Sequence, residues 1–259
     1  MSDEIMGYYS ERKEALLKDF DRTSALMKDS LVARYGMEFA GTLQREVRHQ
    51  YEKLVPEIPY IKGARARLLN AFLLVTAQEL AAYKAMKEHG KPPEEAWELC
   101  HEALRIRVEE IPKWKRWLLR RFMFSSFVRK IMKRRARQQQ KVRFGDFEIE
   151  YLIGDGNDFD FGVNYLQCSN YNFVKRHGEE EFAPYVCMSD IALSDAMGWG
   201  LIRTQTLADG CHHCDFRFKK GAATEISSKT PEVQEAIEKI RNREAEQGAA
   251  TNGHSAGAP

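Results

Sequence analysis

The sequence predicts an α+β fold in which a helical N-terminal part packs with a small antiparallel sheet built from two hairpins. Apolar residues in the first 143 positions recur at three- and four-residue spacings, as in amphipathic helices. Residues 144–220 contain two pairs of alternating segments separated by turn residues, as in β-hairpins. Helices and sheets with one apolar face bury those faces against each other. A charged helix and a disordered tail are predicted for residues 221–259.

Length and charge limit the classes of function. With 259 residues, 43% of them hydrophobic, the chain can bury a sizeable core as one or two units. The net charge is only +2, so the overall charge does not call for a nucleic-acid partner. The longest apolar run, residues 71–77, is far below the roughly 20 residues of a membrane span.

The N-terminus and the cysteines predict a cytoplasmic protein. The first residues carry acids where an export signal has basic and apolar regions. Five cysteines without the regular spacing of a disulfide framework are typical of a reducing compartment. We expect no cofactor.

Helices are expected throughout the N-terminal part. Pro92 and Pro93, followed by two acids, suit a helix start, because proline is tolerated in the first turn and acids favour the positive end of the helix dipole. Gly90 is a suitable end for the helix before it. The predicted helical stretches are 3–35, 37–55, 64–89 and 92–111.

The segment 113–143 contains thirteen Lys or Arg and no acid, interleaved with aromatic residues. We favour a helix whose apolar face packs on the core while its basic face is solvated or pairs with acids elsewhere. The alternative is an amphipathic segment that contacts an anionic membrane or nucleic acid. Residues 134–143 read as a linker into the next part.

Alternation predicts the strands. Phe147 to Ile153 alternates, a turn cluster follows, and Phe159 to Cys168 returns, which makes the first hairpin. Leu201 to Leu207 and His213 to Lys219 make the second, around the turn 208–210. A short helix is expected over 170–178. Beyond the sheet we expect a charged helix from Thr230-Pro231-Glu232 to about Glu246, and no structure in 248–259, which has nothing to bury.

Reactive side chains concentrate between Val186 and Phe218, which holds three of the five cysteines, four aspartates and two arginines. Residues two apart in a strand share a face, so Cys214 lies on one side with Phe216 and Phe218. Asp215 and Arg217 lie on the other. The alternation leaves open which face is reactive.

Three interpretations of the cysteines compete. In the first, Cys187 is a nucleophile, Asp190 moves protons for it, and Arg203, Arg217 or a helix N-terminus lowers the thiol pKa. In the second, Cys211-His-His-Cys214 is one half of a zinc knuckle, but no second half is evident and we expect no metal. In the third, the cysteines fill gaps in the core, which is our interpretation of Cys100.

Several pieces of the chain form an ordered string. They are Asn164-Tyr-Leu-Gln-Cys168, Cys187-x-x-Asp190, Leu201-Ile-Arg-Thr-Gln-Thr-Leu207, Gly210 and Cys214-Asp-Phe-Arg-Phe218. From about Phe159 to Phe218 this string resembles the L-2-amino-thiazoline-4-carboxylic acid hydrolase family. Members of that family open the five-membered ring of their substrate to a carbamoyl-cysteine. The resemblance therefore implies a cysteine-dependent hydrolase that acts on the C–N bonds of a small cyclic amidine.

The resemblance also implies site residues by position. The implied catalytic residues are Cys168, Cys187, Asp190, Cys214 and Asp215. The implied substrate-binding residues are Arg203, Thr204, Thr206 and Arg217. Arg203 or Arg217 would hold the substrate carboxylate in a bidentate fork. Asp190 or Asp215 would protonate the leaving nitrogen.

A non-catalytic binding module is the alternative. The closing Gly-x-x-x-Cys-x-Phe pattern also resembles vinyl-reductase and TRAPP-type α+β domains, which bind small or lipid-like ligands and partner proteins. In that case the cysteines line a pocket or hold a metal, and segment 113–143 is the interface. The expected partner is a small molecule; the sequence leaves open a peripheral membrane contact through 113–143 and a homo-oligomer.

Overall fold

A computed structural model describes residues 4–63, 66–138 and 141–254 of the chain, which form an α+β fold. The helices are α1 (Lys13–Leu26), α2 (Lys28–Tyr35), α3 (Met37–Leu54), α4 (Arg67–Glu88), α5 (Pro93–Glu109), α6 (Lys113–Met123), α7 (Ser126–Arg137), α8 (Ser169–Arg176), α9 (Ala183–Cys187), α10 (Asp190–Met197) and α11 (Pro231–His254). The strands are β1 (Glu4–Ile5), β2 (Tyr60–Ile61), β3 (Val142–Phe144), β4 (Phe147–Ile153), β5 (Phe161–Gln167), β6 (Leu201–Arg203), β7 (Cys214–Phe218) and β8 (Glu225–Ile226).

The helix α4 is the buried centre of the helical part. Leu73, Ala77 and Leu80 are fully buried at the spacing of one helix face. Removing a leucine side chain from water contributes about 2 kcal/mol, so a stripe of this kind fixes the helix in the core. One continuous hydrophobic cluster joins α4 and its neighbouring helices to residues of β4, β6 and α11.

The large sheet is mixed and has six strands in the order β3-β4-β5-β7-β6-β8. The prediction of a small sheet with antiparallel pairs alone is therefore wrong, because β8 pairs with β6 in parallel through Ile202 opposite Glu225. The predicted strand from Leu201 to Leu207 ends at Arg203. It ends there because the backbone N–H groups of Thr204 and Gln205 each donate to Oδ1 of Asp215, at 2.9 Å, and leave the strand ladder.

The basic-aromatic segment is not one helix. It divides into α6 and α7 because Ser125 has an extended backbone and its Oγ accepts a hydrogen bond from the N–H of Val128 at 3.3 Å, which caps α7. The predicted linker over 134–143 is shorter than expected, since α7 runs to Arg137 and β3 begins at Val142.

Most large apolar side chains of the two helices face away from the core, unlike the interpretation that we favoured. No residue of α6 or α7 is buried, and Trp114 and Phe127 keep 63% and 62% of their surface exposed. The expected packing on the core is therefore wrong for most of the segment, while Phe124 between the two helices packs on Phe161, with the ring centres 5.6 Å apart. None of the described helices is both long and apolar enough to cross a membrane.

The last helix runs farther than predicted. It begins at Pro231 and continues past Glu246 to His254, so the absence of structure predicted for 248–259 is wrong as far as His254; residues 255–259 lie outside the described chain. Its first turn is fixed by Asp209, which accepts hydrogen bonds from the hydroxyls of Ser228 and Thr230 at 2.6 and 2.9 Å. Its apolar stripe is buried and includes Val233 and Ile237.

Candidate active site

A cavity of about 80 Å³ lies between α4, the short helices α8 to α10 and one face of the sheet. This volume is enough for several water molecules. Most of its wall is apolar. Its reactive or polar side chains are Thr76, Glu79, Tyr165, Cys168, Asn170, Tyr171, Cys187, Ser189, Asp190, Arg203 and Cys214.

The strands position their part of the wall by alternation. Tyr165 of β5 lies opposite Cys214 of β7, and Val163 lies opposite Phe216. Side chains opposite each other in an antiparallel pair point to the same face, so Tyr165, Cys214 and Phe216 all face the helices. This confirms the predicted grouping of Cys214 with Phe216.

The short helices supply the rest of the wall. Cys187 is the last residue of α9 and Asp190 is the first residue of α10, with one tight turn between them. Cys168 precedes the first residue of α8. The sequence-predicted residues Cys168, Cys187, Asp190, Arg203 and Cys214 therefore line one cavity.

Arg203 and Asp190 form the charged pair of this cavity. The Arg203 side chain is only 1% exposed, and its Nη1 donates a hydrogen bond to Oδ2 of Asp190. Its Nη2 contacts the sulfur of Met188 at 3.5 Å, and its guanidinium lies 5.2 Å from the ring centre of Phe216. Its Nε has no acceptor among the described residues. Arg203 thus has an unsatisfied N–H donor in a buried environment, and such a donor costs free energy.

Burial controls the protonation of Asp190. Loss of water raises the pKa of its carboxyl, and Arg203 opposes this by favouring the charged form. The Asp190 side chain is 22% exposed, and it lines the cavity. Its carboxylate therefore faces the cavity rather than bulk water, which explains why desolvation acts on its pKa.

Burial raises the pKa of all three thiols, which favours their protonated form at neutral pH. Burial raises the pKa of Cys168 and of Cys214 to about 12 in each case, and raises the pKa of Cys187 as well. Arg203 lowers the pKa of Cys187, and two backbone N–H groups of α8 lower the pKa of Cys168, but burial is the larger cause. The expected net lowering of a thiol pKa is therefore wrong, because desolvation outweighs the nearby positive charge.

Glu79 is a site residue that the sequence analysis missed. This residue of α4 is 4% exposed and accepts a hydrogen bond from the hydroxyl of Ser189, while its Oε2 has no partner among the described residues. Burial raises the pKa of Glu79 to about 8, so this group is a neutral acid at pH 7. The sequence could have revealed it by spacing. Glu79 lies three residues after Thr76 and four before Tyr83, which places its carboxyl group on the buried face of α4.

Asp215 and Thr204 do not belong to the cavity. Asp215 accepts hydrogen bonds from the Oγ1 and the N–H of Thr204 at 2.8 and 2.9 Å, which ties β7 to the chain after β6. The catalytic role predicted for Asp215 and the substrate-binding role predicted for Thr204 are therefore not supported, since Asp215 points to the opposite face of β7 from Cys214.

Thr206 and Arg217 have structural contacts as well. The hydroxyl of Thr206, which is fully buried, donates to Asp209 at 2.9 Å. Arg217 donates to Oδ1 of Asn164 at 2.9 Å and lies across Gly162, where a Cβ would come within 2.9 Å of its Cδ. The structure therefore leaves Arg203 as the arginine that lines the cavity.

The remaining cysteines lie elsewhere. Cys100 is buried in α5, as predicted, and lines a separate apolar cavity of about 120 Å³ between α1, α3, α4 and α5. Cys211 is half-exposed in the turn before β7. Within the described ranges, no group of three or more His, Cys, Asp or Glu side chains is arranged to hold a metal ion.

One comparison with known proteins gives a match. The family model described as L-2-amino-thiazoline-4-carboxylic acid hydrolase matches residues 71–218, from the first half of α4 to the last residue of β7. This range contains Glu79 and all the cysteines, Asp190 and Arg203 of the cavity. No curated protein and no solved structure matches the chain.

Proposed function

The chain belongs to the L-2-amino-thiazoline-4-carboxylic acid hydrolase family, and on that premise we propose that it opens the ring of a small cyclic amidine such as L-2-amino-thiazoline-4-carboxylate. Cys187 is the nucleophile of the proposal, and Asp190, Glu79 and Arg203 assist it. The observation that carries the proposal is the buried Asp190–Arg203 pair in the wall that also holds the three thiols.

Arg203 suits the carboxylate of the substrate. One of its nitrogens already bonds Asp190, while Nε has no acceptor and Nη2 contacts only a sulfur. A guanidinium binds carboxylates through two parallel N–H groups, and the attraction is strong where water is excluded. An incoming carboxylate would therefore satisfy donors that the protein leaves unused.

The identity of the product decides which bond breaks. The product of our proposal is the N-carbamoyl isomer of carbamoyl-cysteine, which keeps both nitrogens on the reacting carbon, so the bond that breaks joins this carbon to the ring sulfur. The leaving atom that needs a proton is thus sulfur and not, as expected from the sequence, nitrogen. For the same reason the hydrolysis breaks a C–S bond rather than a C–N bond of the ring.

In the first step, the sulfur of Cys187 bonds to the amidine carbon while its proton moves to the carboxylate of Asp190. The raised pKa of Asp190 makes it a better base than an exposed aspartate, and a protonated thiol needs such a base as it attacks. The carbon–sulfur bond of the ring breaks, and the leaving sulfur takes the proton of Glu79. The neutral state of Glu79, whose pKa is about 8, supplies that proton at pH 7.

In the second step, water adds to the same carbon and the bond to Cys187 breaks. The two protons of the water and the one on Asp190 go to the product nitrogen, to Glu79 and to the Cys187 sulfur. All groups then return to their starting states. The sum is one water consumed, one carbon–oxygen bond formed and one carbon–sulfur bond of the substrate broken.

Turnover by the purified, metal-stripped protein tests this proposal. L-2-Amino-thiazoline-4-carboxylate is the substrate, and carbamoyl-cysteine is followed by mass spectrometry. We expect the wild type and Cys211→Ser to form product, since Cys211 lies outside the cavity, and we expect Cys187→Ser to lose turnover.

Two outcomes would count against the proposal. If Cys187→Ser keeps turnover while Cys168→Ser or Cys214→Ser loses it, the nucleophile is another thiol of the same cavity. If the folded wild type forms no product from this or other cyclic amidines, the family match carries the fold alone, and the non-catalytic binding module with a cysteine-lined pocket is favoured.

A further inference from the structure

The helices α6 and α7 expose a surface of large apolar side chains, which we call the basic-aromatic surface. Of the described residues, this segment contributes seven of the eleven large hydrophobic side chains that are exposed. Isolated exposed apolar residues are normal, but their concentration on two consecutive helices points to an interaction site. The seven residues of this surface are Trp114, Trp117, Leu118, Leu119, Phe122, Phe127 and Ile131.

The orientation of α6 is fixed by its basic side. Arg116 donates a hydrogen bond from Nη1 to the carbonyl oxygen of Ala196 at 3.0 Å, at the C-terminal end of α10. Arg120 lies next to Gly198, which ends the same helix. A helix C-terminus carries partial negative charge and attracts arginine. The face of α6 opposite these arginines, with Trp114 and Leu118, therefore points away from the protein.

Positive charge surrounds the apolar residues. The helices α6 and α7 contain eleven Lys or Arg and no acid. Arg129 pairs with Asp160 at 3.8 Å, and Arg116 and Arg120 lie at the end of α10. Lys130, Lys133 and Arg134 are exposed on α7 and are available to an anionic surface, in a protein whose net charge is only +2.

The combination favours a lipid surface over other occupants. A second copy docking through the same face would bring two cation-rich surfaces together with no acid in either segment to compensate. A nucleic acid would use the basic residues but would leave the aliphatic residues Leu118 and Ile131 without a place to be buried. An amphipathic helix with Trp, Phe and Leu outward and Lys and Arg beside them suits the boundary between lipid headgroups and acyl chains.

We propose that the basic-aromatic surface docks the protein on an anionic lipid bilayer. The apolar side chains enter the headgroup boundary, and the basic side chains bind the lipid charges. The proposal does not depend on the reaction at the cavity, because none of its residues lines that cavity.

Vesicle binding by the full chain tests the proposal. The protein is sedimented with vesicles of phosphatidylcholine alone or mixed with phosphatidylglycerol, and its tryptophan emission is recorded with brominated lipids. We expect binding to the mixed vesicles, loss of binding as salt rises from ~0.1 M to ~1 M, and quenching of Trp114 and Trp117. Equal binding to both vesicles, or none to the mixed ones, would overturn the proposal.

Matched variants separate this surface from general positive charge. The triple change Lys130→Gln, Lys133→Gln and Arg134→Gln is expected to weaken partitioning on the order of 100-fold, since each cation near an anionic surface contributes about a factor of five. Lys18→Gln, Lys28→Gln and Lys53→Gln change as much charge at exposed positions of α1, α2 and α3 and should leave partitioning unchanged.

A second variant tests the apolar contribution. Trp114→Ser with Trp117→Ser keeps every charge and both helix anchors, and should weaken binding and abolish the lipid-dependent quenching. Circular dichroism confirms that each variant is folded. Equal loss in both triple charge variants, tighter binding to duplex DNA than to the mixed vesicles, or a dimer that these tryptophan changes dissociate would contradict the assignment to lipid.

Discussion

Glu79 predicts an unusual pH dependence of stability. In the folded chain, burial raises its pKa from 4.5 to about 8, while the unfolded chain returns it to water and to its ordinary pKa. Between these two pH values the unfolded state releases a proton that the folded state keeps. The stability contribution of Glu79 is thus complete below pH 4.5 and is lost as pH rises toward 8.

The size of the effect follows from the same shift. Each pH unit in this window lowers the free energy of unfolding by ~1.4 kcal/mol, or about 3 kcal/mol from pH 5 to pH 7. The change Glu79→Gln removes the titration and keeps an acceptor for the hydroxyl of Ser189. The variant should therefore lose stability less steeply than the wild type between pH 5 and pH 8.

Urea unfolding at pH 5, 6, 7 and 8 measures this difference. Glu88→Gln, at the exposed end of the same helix, is the matched control and should follow the wild type. The informative quantity is the difference in free energy of unfolding between Glu79→Gln and the wild type. A difference that stays constant across the four pH values would refute the reasoning, because it would mean that Glu79 is ionised in the folded state.

Two further predictions concern the thiols and the charged pair. Iodoacetamide at pH 8 should label Cys211 before Cys168 and Cys214. A thiol of pKa about 12 is ionised on the order of one part in 10⁴ at that pH. Peptide mapping that finds Cys168 or Cys214 labelled first would contradict their burial. Asp190→Asn should cost ~3 kcal/mol by stranding the buried Arg203, and adding Arg203→Met should recover part of this loss. Additive losses in urea unfolding would show that the pair is not coupled.

Local patterns in the sequence predict local structure well. The strand from Phe147 to Ile153 is observed with the predicted bounds, and its first five residues alternate between apolar and polar side chains. The second strand pair was less predictable, since Asp215 captures the backbone of Thr204 and Gln205 and shortens β6. A side chain in a neighbouring strand thus overrides the alternation.

The amphipathic pattern of 113–143 identified helices but not their orientation. An apolar stripe usually faces the core, and this expectation failed because Arg116 and Arg120 bind the end of α10. Which face of a helix packs inward depends on the elements that lie next to it in the fold, and the spacing of apolar residues does not identify those elements.

The cavity was partly predictable. Its thiols, Asp190 and Arg203 follow from the ordered string of motifs, which lies in one stretch of chain. Glu79 lies more than a hundred residues before Cys187 and reaches the site only through the packing of α4. The thiol pKa values also depend on burial by residues that are distant in sequence. The nearby Arg203 alone predicted a lowered pKa for Cys187, whereas burial raises it.

The most direct test of the central claim is the mass of the protein quenched during turnover of L-2-amino-thiazoline-4-carboxylate. The proposed mechanism predicts a species heavier by one substrate molecule, with the added mass on the peptide that contains Cys187 and absent from Cys187→Ser. Product formation with no such species, together with full turnover by Cys187→Ser, would contradict covalent catalysis by this thiol. Water activated directly by Asp190 would then be the nucleophile.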